Sequence, residues 1–253
     1  MVSRFRFTRV LCALLLIQIT LIFNANGAEL ETGFVPLSTE VDGQKRAGAV
    51  WLPEDYDPSK KYPLIVFLHG SGEKGTDGVR QTEVGIGKAI RQNPERFPCL
   101  VYMPQSHPQG NWGGRPSGDG TSAHDHITAG IDTLLSEYSI DKKRISMTGL
   151  SMGGMGTFTY GAQNAKRLSA FMPICGRGSK SFAKELAKRP IWIFHGDADR
   201  VVPIGGSEMM AKSIRAEGGD VQFTIYPGVG HNSWDRAYAE SQGAVEWLLE
   251  QRK

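Results

Sequence analysis

The chain has 253 residues, with 29 Lys and Arg against 26 Asp and Glu and a formal net charge of +3. So small an excess of positive charge gives no electrostatic reason to expect a nucleic acid or an anionic membrane as the partner. The length suits one α/β domain with a substantial hydrophobic core.

The first segment of the chain has the pattern of a secretory signal peptide. Three arginines precede an uncharged apolar run over residues 10–23, and small residues around Gly27 and Ala28 then offer a cleavage site. The run is shorter than the roughly 20 residues that span a bilayer. We therefore expect a signal peptide at residues 1–27, with an uncleaved anchor as the alternative, and a single domain over residues 28–253. The mature protein is expected to be secreted or periplasmic, without stable membrane association.

Removing this segment changes the charge and the cysteine count. It takes away three arginines and no acidic residue, which leaves 26 basic residues against 26 acidic ones. Only Cys99 and Cys175 then remain, and neither has the spacing of a metal ligand. One lies at the start of a predicted strand and the other at the end of a different strand, so we expect two free, buried thiols.

Hydrophobic patterns predict the strands in chain order. Residues 34–52 read as two antiparallel strands around the turn at Asp42 and Gly43. The uninterrupted apolar run of residues 64–68 indicates a strand covered on both faces, as in parallel sheets. Four similar runs follow, and then a more alternating one that suits a sheet edge; they lie at residues 99–103, 145–148, 170–174, 191–194 and, for the edge, 221–226.

Helical patterns alternate with these strands. Residues 127–138 carry one apolar stripe at helical spacing, and weaker patterns cover residues 84–91, 207–216 and 237–251. This alternation predicts a doubly wound, largely parallel sheet, whose ligands bind beyond the carboxyl ends of the strands. The longest predicted loop, residues 105–121, emerges at that same edge.

A G-x-S-x-G pentapeptide, Gly149-Leu150-Ser151-Met152-Gly153, stands between a predicted strand and a stretch of small residues that can begin a helix. Strand, sharp turn and helix are the context of a nucleophile elbow. Glycines at positions 149, 153 and 154 let the strand and the helix approach without a Cβ clash. The pattern therefore predicts Ser151 as a nucleophile at the top of the sheet.

A serine nucleophile needs a general base, and the base needs an orienting carboxylate. In this architecture the chain order is Ser, then acid, then His. Of the two histidines after Ser151, His195 directly ends a buried strand and is interpreted as a packing residue, which leaves His231 as the base. The loop after His195 offers Asp197 and Asp199. We favour Asp199, because Asp197 is better placed to tie down its own turn.

The oxyanion that develops in acyl transfer needs hydrogen-bond donors. The backbone N–H of Met152, just after the nucleophile, is one expected donor, and the N–H of Ser71 in His69-Gly70-Ser71-Gly72 is the other. Each donor would contribute roughly 100-fold to 1,000-fold in rate.

Candidate substrate-binding residues are Trp112 and Arg115 on the long loop and Trp234 after the predicted base. Trp112 either stacks on a sugar or aromatic acyl group or pins the loop. For Trp234 we favour packing against the C-terminal helix, and Arg115 can be a solvated loop residue. His124 and His126 are interpreted as solvated residues at a helix start rather than a metal site, because positions i and i+2 diverge on a helix.

Four motifs, at residues 62–73, 149–154, 195–203 and 230–235, occur in one chain. Together they resemble the α/β-hydrolase superfamily over nearly the whole mature chain. More closely, the chain is similar to the secreted bacterial phospholipase/carboxylesterase group, also described as predicted peptidases, which is similar to feruloyl and acetylxylan esterases. The resemblance implies a mostly parallel central sheet with an antiparallel N-terminal strand pair and helices on both faces.

The resemblance also implies an activity, that of a secreted serine carboxylesterase. Such an enzyme hydrolyses small or carbohydrate-linked esters through an acyl-enzyme on Ser151, with Asp199 and His231 as partners and without a cofactor. Dienelactone-type relatives with a cysteine nucleophile differ, because position 151 is serine here. A serine peptidase of the same fold, an acyl transferase and a non-catalytic carbohydrate-binding relative are the alternatives.

Overall fold

Eight strands form one mixed sheet in the computed structural model, which describes residues 31–253. The predicted signal peptide at residues 1–27 lies outside the described residues. The strands are β1 (Gly33–Val41), β2 (Gln44–Leu52), β3 (Tyr62–Leu68), β4 (Leu100–Pro104), β5 (Ile140–Leu150), β6 (Phe171–Ile174), β7 (Ile191–Gly196) and β8 (Val221–Tyr226).

The order across the sheet is β1-β2-β4-β3-β5-β6-β7-β8. The pairs β1–β2 and β2–β4 are antiparallel, and the remaining pairs are parallel. This confirms the predicted mostly parallel sheet with an antiparallel N-terminal pair. It also confirms that the alternating strand, β8, lies at an edge.

The longer helices are α1 (Ile86–Gln92), α2 (Ala123–Glu137), α3 (Met152–Asn164) and α5 (Gly205–Ala216), with the single turn α4 (Ala183–Leu186) before β7. The predicted C-terminal helix over residues 237–251 is wrong as one element. It is divided into α6 (Trp234–Ala237) and α7 (Ala244–Glu250). Between them Gly243 has φ 68°, a left-handed conformation that no α-helix can continue through.

Both faces of the sheet are covered by helices. Neighbouring strand residues point to opposite faces, and Phe67 and Leu68 of β3 are both fully buried. A Cβ added at Gly85, just before α1, would lie 2.9 Å from Phe67 Cζ, and one added at Gly156 of α3 would lie 2.8 Å from Leu68 Cδ1. Helices therefore pack on either side of β3, as predicted.

The loop at residues 105–121 is anchored by a partly buried ion pair. The Arg46 guanidinium on β2 donates to both carboxylate oxygens of Asp119 at 3.0 Å and to the Thr121 carbonyl at 3.1 Å. Next to it, His126 lies between Thr39 Oγ1 at 2.9 Å and Thr121 Oγ1 at 3.1 Å. The loop is thus fastened to both N-terminal strands.

This arrangement corrects the interpretation of the two histidines at the start of α2. His124 and His126 are buried rather than solvated. His124 contacts the Gln163 side-chain oxygen and the Trp112 carbonyl, both at 2.9 Å. Burial lowers the pKa of His126 to about 4, so its ring is neutral near pH 7.

Two smaller expectations concern the cysteines and membrane association. Cys99 and Cys175 are free and buried, which confirms the prediction for them. Within residues 31–253, none of the helices has the length and apolar character required to cross a membrane.

Candidate active site

Ser151 stands at the sharp turn between β5 and α3. Its backbone has φ 54° and ψ −115°, a conformation that is strained for a residue with a side chain. The turn is possible because glycine precedes it and follows it. A Cβ on Gly149 would collide with the Gly153 carbonyl, and a Cβ on Gly153 with the Leu68 carbonyl. The predicted elbow is therefore present, with Ser151 beyond the carboxyl end of the sheet.

His231 and Asp199 lie beside Ser151 in one hydrogen-bonded chain. His231 follows β8 in the loop before α6, and its Nε2 is 2.9 Å from Ser151 Oγ. Its Nδ1 is 2.7 Å from Asp199 Oδ2, and Asp199 lies on the loop after β7. The three residues predicted as nucleophile, base and acid come together because β5, β7 and β8 all end at the same sheet edge.

The Asp199 carboxylate is held on both oxygens. Its Oδ1 accepts the backbone N–H groups of Val201 at 2.8 Å and Val202 at 2.9 Å. Burial raises the pKa of Asp199, but hydrogen bonds from His231 and from these two amides outweigh it, and the pKa lies below its usual value. The carboxylate is therefore ionised where His231 needs an orienting charge.

Asp197, the other candidate acid, has a different partner. Its Oδ1 accepts the N–H of Gly228 at 2.7 Å, which ties the loop after β7 to the loop that carries His231. The structure thus places Asp199, rather than Asp197, next to His231.

The two predicted oxyanion donors flank the nucleophile. Ser71 and Met152 each begin a helical turn, so their N–H groups have no carbonyl partner within their own helices. The Ser71 loop lies close to Ser151, because a Cβ added at Gly70 would be 3.8 Å from the Ser151 Cβ. Gly70, which precedes Ser71, therefore lies next to the serine, and the role of the two N–H groups in binding an oxyanion stays a prediction.

His69 fixes the backbone of the loop that carries Ser71. Its Nε2 accepts the Ser106 N–H at 2.9 Å, so the ring proton is on Nδ1, which donates to the Gly70 carbonyl at 2.6 Å. Burial lowers the pKa of His69 to about 4 and keeps the ring neutral. The neutral ring is hydrogen-bonded at both nitrogens, and it thereby joins the loops after β3 and β4.

Trp112 is buried and hydrogen-bonded within the protein, and its role as a substrate-binding residue stays a prediction. Its side chain is only 2 % exposed, and its indole N–H donates to the His69 carbonyl at 2.9 Å. The ring also packs edge-on against His69 with centroids 5.0 Å apart. Of its two predicted roles, pinning the loop is the one that the structure supports.

The other two candidate substrate residues differ in exposure. Trp234 is half-buried against the core and meets the His231 ring edge-on, with centroids 5.5 Å apart. It therefore borders the base. Arg115 is exposed on the long loop, and its substrate role stays a prediction.

Cys175 also lies at the site, and its contact with Ser151 was not predicted from the sequence. It follows β6 with φ 42°, and its Sγ accepts the Ser151 N–H at 3.2 Å. Burial raises the pKa of this thiol to about 12, so it is neutral. The signal available in the sequence was its position at the end of the strand next to β5.

Cys175, Asp199 and His231 also place three possible metal-ligand atoms within 4.8 Å of one another. Asp199 and His231 are hydrogen-bonded to each other, and the thiol is protonated. We therefore describe these residues as a hydrogen-bonded chain and assign no metal to them.

A family model for the dienelactone hydrolase family matches residues 113–247. This range contains Ser151, Asp199 and His231. The chain belongs to the dienelactone hydrolase family. It has the α/β-hydrolase fold.

Relatives of this family member include esterases and peptidases. The chain is 37 % identical over 168 residues to the bifunctional acetylxylan esterase/xylanase XynS20E of Neocallimastix patriciarum, which covers 66 % of this chain and 23 % of that protein. It is 28 % identical over 141 residues to dipeptidyl-peptidase 5 of Porphyromonas gingivalis, covering 53 % of this chain and 20 % of that one. The chain thus spans about a fifth of the length of these two relatives.

Among solved structures, a thermostable esterase aligns with a TM-score of 0.78 and 33 % identity. The alignment covers 93 % of this chain and 71 % of that one. The similarity therefore extends over nearly all of the present fold.

Proposed function

We propose that the protein is a carboxylesterase that hydrolyses small or carbohydrate-linked esters through an acyl-enzyme on Ser151. The observation that carries the proposal is the continuous chain from Ser151 Oγ through His231 to Asp199, at 2.9 and 2.7 Å. A hydroxyl that donates to a neutral imidazole, itself oriented by a buried carboxylate, is an activated nucleophile.

The first half of the reaction forms the acyl-enzyme. His231 Nε2 takes the Ser151 proton while Ser151 Oγ attacks the ester carbonyl carbon. The carbonyl oxygen becomes an oxyanion, and the Ser71 and Met152 N–H groups stabilise it. Asp199 stabilises the imidazolium. The C–O bond to the alcohol then breaks, and the alcohol leaves with the proton from His231.

Water completes the cycle by the same route. His231 takes a proton from water, the hydroxide attacks the acyl carbon, and a second oxyanion occupies the same position. Its collapse breaks the bond to Ser151 Oγ, which regains its proton from His231. The products are one carboxylic acid and one alcohol.

The carbohydrate-linked part of the proposal is supported by the acetylxylan esterase among the relatives. The test is a panel of nitrophenyl acetate and butyrate with acetyl and feruloyl esters, free and sugar-linked. We expect hydrolysis of the short nitrophenyl esters, and Ser151→Ala should reduce turnover by several orders of magnitude. Ser136→Ala, at an exposed serine on α2, is the matched control and should leave turnover unchanged.

Peptide hydrolysis is the second candidate function, favoured by the dipeptidyl-peptidase relative. An amide needs more effective protonation of its leaving group than an ester does. Release of nitroaniline from an aminoacyl-nitroanilide faster than ester cleavage by the same preparation would make peptidase the better description. A Ser151→Ala variant with unchanged ester turnover would overturn both candidates.

We also propose that the protein is exported, on the basis of the arginines and the apolar run that precede Gly27. An ester attached to an extracellular polysaccharide would be accessible only to an exported enzyme.

A further inference from the structure

His195 touches the acid of the proposed triad. It is the last residue but one of β7, and both its side chain and that of Asp199 are fully buried. Its Nε2 lies 3.2 Å from Asp199 Oδ2, the same oxygen that is 2.7 Å from His231 Nδ1. One carboxylate oxygen of Asp199 therefore faces two imidazole rings, those of His231 and His195.

The position of the ring proton follows from a carbonyl. His195 Nε2 is 2.8 Å from the Val202 carbonyl oxygen, which can only accept a hydrogen bond. Nε2 must therefore carry the proton and donate it to the Val202 carbonyl, and the same nitrogen lies 3.2 Å from Asp199 Oδ2. On the other side of the ring, Nδ1 is 2.8 Å from Ser207 Oγ at the start of α5. The ring is thus held at both nitrogens.

From this geometry we propose that His195 is a positioning residue, whose Nε2–H holds Asp199 Oδ2 and limits how strongly the carboxylate stabilises protonated His231. The inference rests on the proposed function, because it assigns Asp199 to the triad. His195 does not meet the substrate, so it acts through Asp199 alone.

The consequence for reactivity has a definite direction. A second donor on Oδ2 withdraws negative charge from the side that faces His231. Without it, protonated His231 becomes more stable, so a higher pH is needed to obtain the neutral base. The carboxylate also becomes less fixed in position. The titratable side chains packed against Asp199 are His231, His195 and Cys175, and burial keeps the Cys175 thiol neutral.

The test compares two substitutions at position 195 by the rate at which a fluorophosphonate modifies Ser151. This readout needs no ester substrate. His195→Leu removes the donor and keeps an apolar side chain of similar reach. His195→Gln keeps an N–H donor near the position of Nε2. The same pair of changes at His107, a partly exposed histidine on the long loop, provides the control.

We expect His195→Leu to slow labelling by about 10-fold to 100-fold, as for a lost hydrogen bond to a charged group. The acid limb of its pH–rate profile should move to higher pH by about half a unit or more. His195→Gln should stay within about fivefold of the wild type with an unmoved limb. The proposal is overturned if His195→Leu is labelled at the wild-type rate, or if it is labelled slowly but its acid limb does not move. It is also overturned if His195→Gln is labelled as slowly as His195→Leu.

A measurement on the unaltered protein covers the case in which His195→Leu fails to fold. Nitrogen-15 spectra of histidine-labelled protein report which ring nitrogen carries the proton, and His195→Gln assigns the signal. We expect a protonated Nε2; an unprotonated Nε2 would contradict the proposal. If the wild type is not labelled by the fluorophosphonate, the proposed function fails, and the nitrogen-15 spectrum still decides the state of His195.

Discussion

At the scale of single residues, the two aspartates after β7 differ in what they touch. Asp199 meets the His231 ring, whereas Asp197 accepts only from the Gly228 backbone among the contacts found in the described chain. The two residues are of the same type and lie two positions apart, so comparing their variants isolates the effect of the contacts that each carboxylate makes. One charge faces the base and the other faces a turn.

Replacing the buried Asp199 should therefore reduce catalysis much more than replacing Asp197. Asp199→Asn puts a neutral amide next to His231 Nδ1. The amide does not stabilise the imidazolium, and it can favour the wrong tautomer of the ring. We expect kcat for ester hydrolysis to fall by roughly three to four orders of magnitude. Asp197→Asn retains an oxygen that accepts from Gly228 and should keep kcat within about threefold. Equal losses in the two variants would show that Asp199 has no special role.

The sequence was sufficient to predict which residues meet at the site, but not all of their neighbours. Ser151 and His231 could be assigned because the elbow has a local pattern and few histidines follow it. Cys175 and the contact between His195 and Asp199 depend on how β6 and β7 lie beside β5, which no local pattern records. Trp112 was equally uncertain, since its burial depends on α3 packing beneath the long loop.

At the scale of elements, the link from Arg46 to Asp119 joins β2 to the loop before α2. The Arg46 side chain is only 5 % exposed and that of Asp119 is 15 % exposed. Burial raises the pKa of Asp119, but the Thr121 amide and hydroxyl and the Arg46 guanidinium outweigh it and lower the pKa to about 2. The ionised form is thus strongly favoured in the folded protein.

The lowered pKa makes this link dependent on pH. Its contribution to stability is fully present above the unfolded value of 3.8 and is lost as the pH falls toward about 2. Asp119→Asn should lower the free energy of unfolding by roughly 2 kcal/mol at neutral pH, and the difference from wild type should shrink on acidification through that window. Urea unfolding at several pH values measures it. Glu250→Gln, at the exposed end of α7, should show no such trend, and a constant difference for Asp119→Asn would contradict the assignment.

Strands with continuous apolar runs were predictable, because such a short run is typical of a strand that is buried on both faces. The C-terminal helix was not, although Gly243 was visible in the sequence. Its left-handed conformation breaks a helical pattern that the flanking apolar residues still display. Arg46 was missed for a related reason: a charged residue in a strand suggests exposure, and its partner is 73 positions away.

At the scale of the whole molecule, the formal charge depends on whether the first 27 residues remain. With them the chain carries +3, and without them the basic and acidic residues balance. The described part of the chain, residues 31–253, holds all residues of the proposed triad in one compact unit.

The proposed export therefore makes a prediction about the N-terminus. When the full chain is produced in a Gram-negative host, the periplasmic or secreted protein should begin close to Ala28, because small residues there suit signal peptidase. Intact-mass measurement and N-terminal peptide mapping determine this. Exported active protein that retains residues 1–27 would contradict the assignment of a cleaved signal.

The central claim is that Ser151 is the nucleophile of an esterase. The most direct measurement is mass-spectrometric mapping of the fluorophosphonate adduct, combined with residual ester hydrolysis in the same sample. The account predicts one adduct per chain, on the peptide that contains Ser151, with loss of hydrolysis in proportion to labelling and no adduct in Ser151→Ala. An adduct on another residue, or full ester hydrolysis after Ser151 is completely labelled, would contradict it.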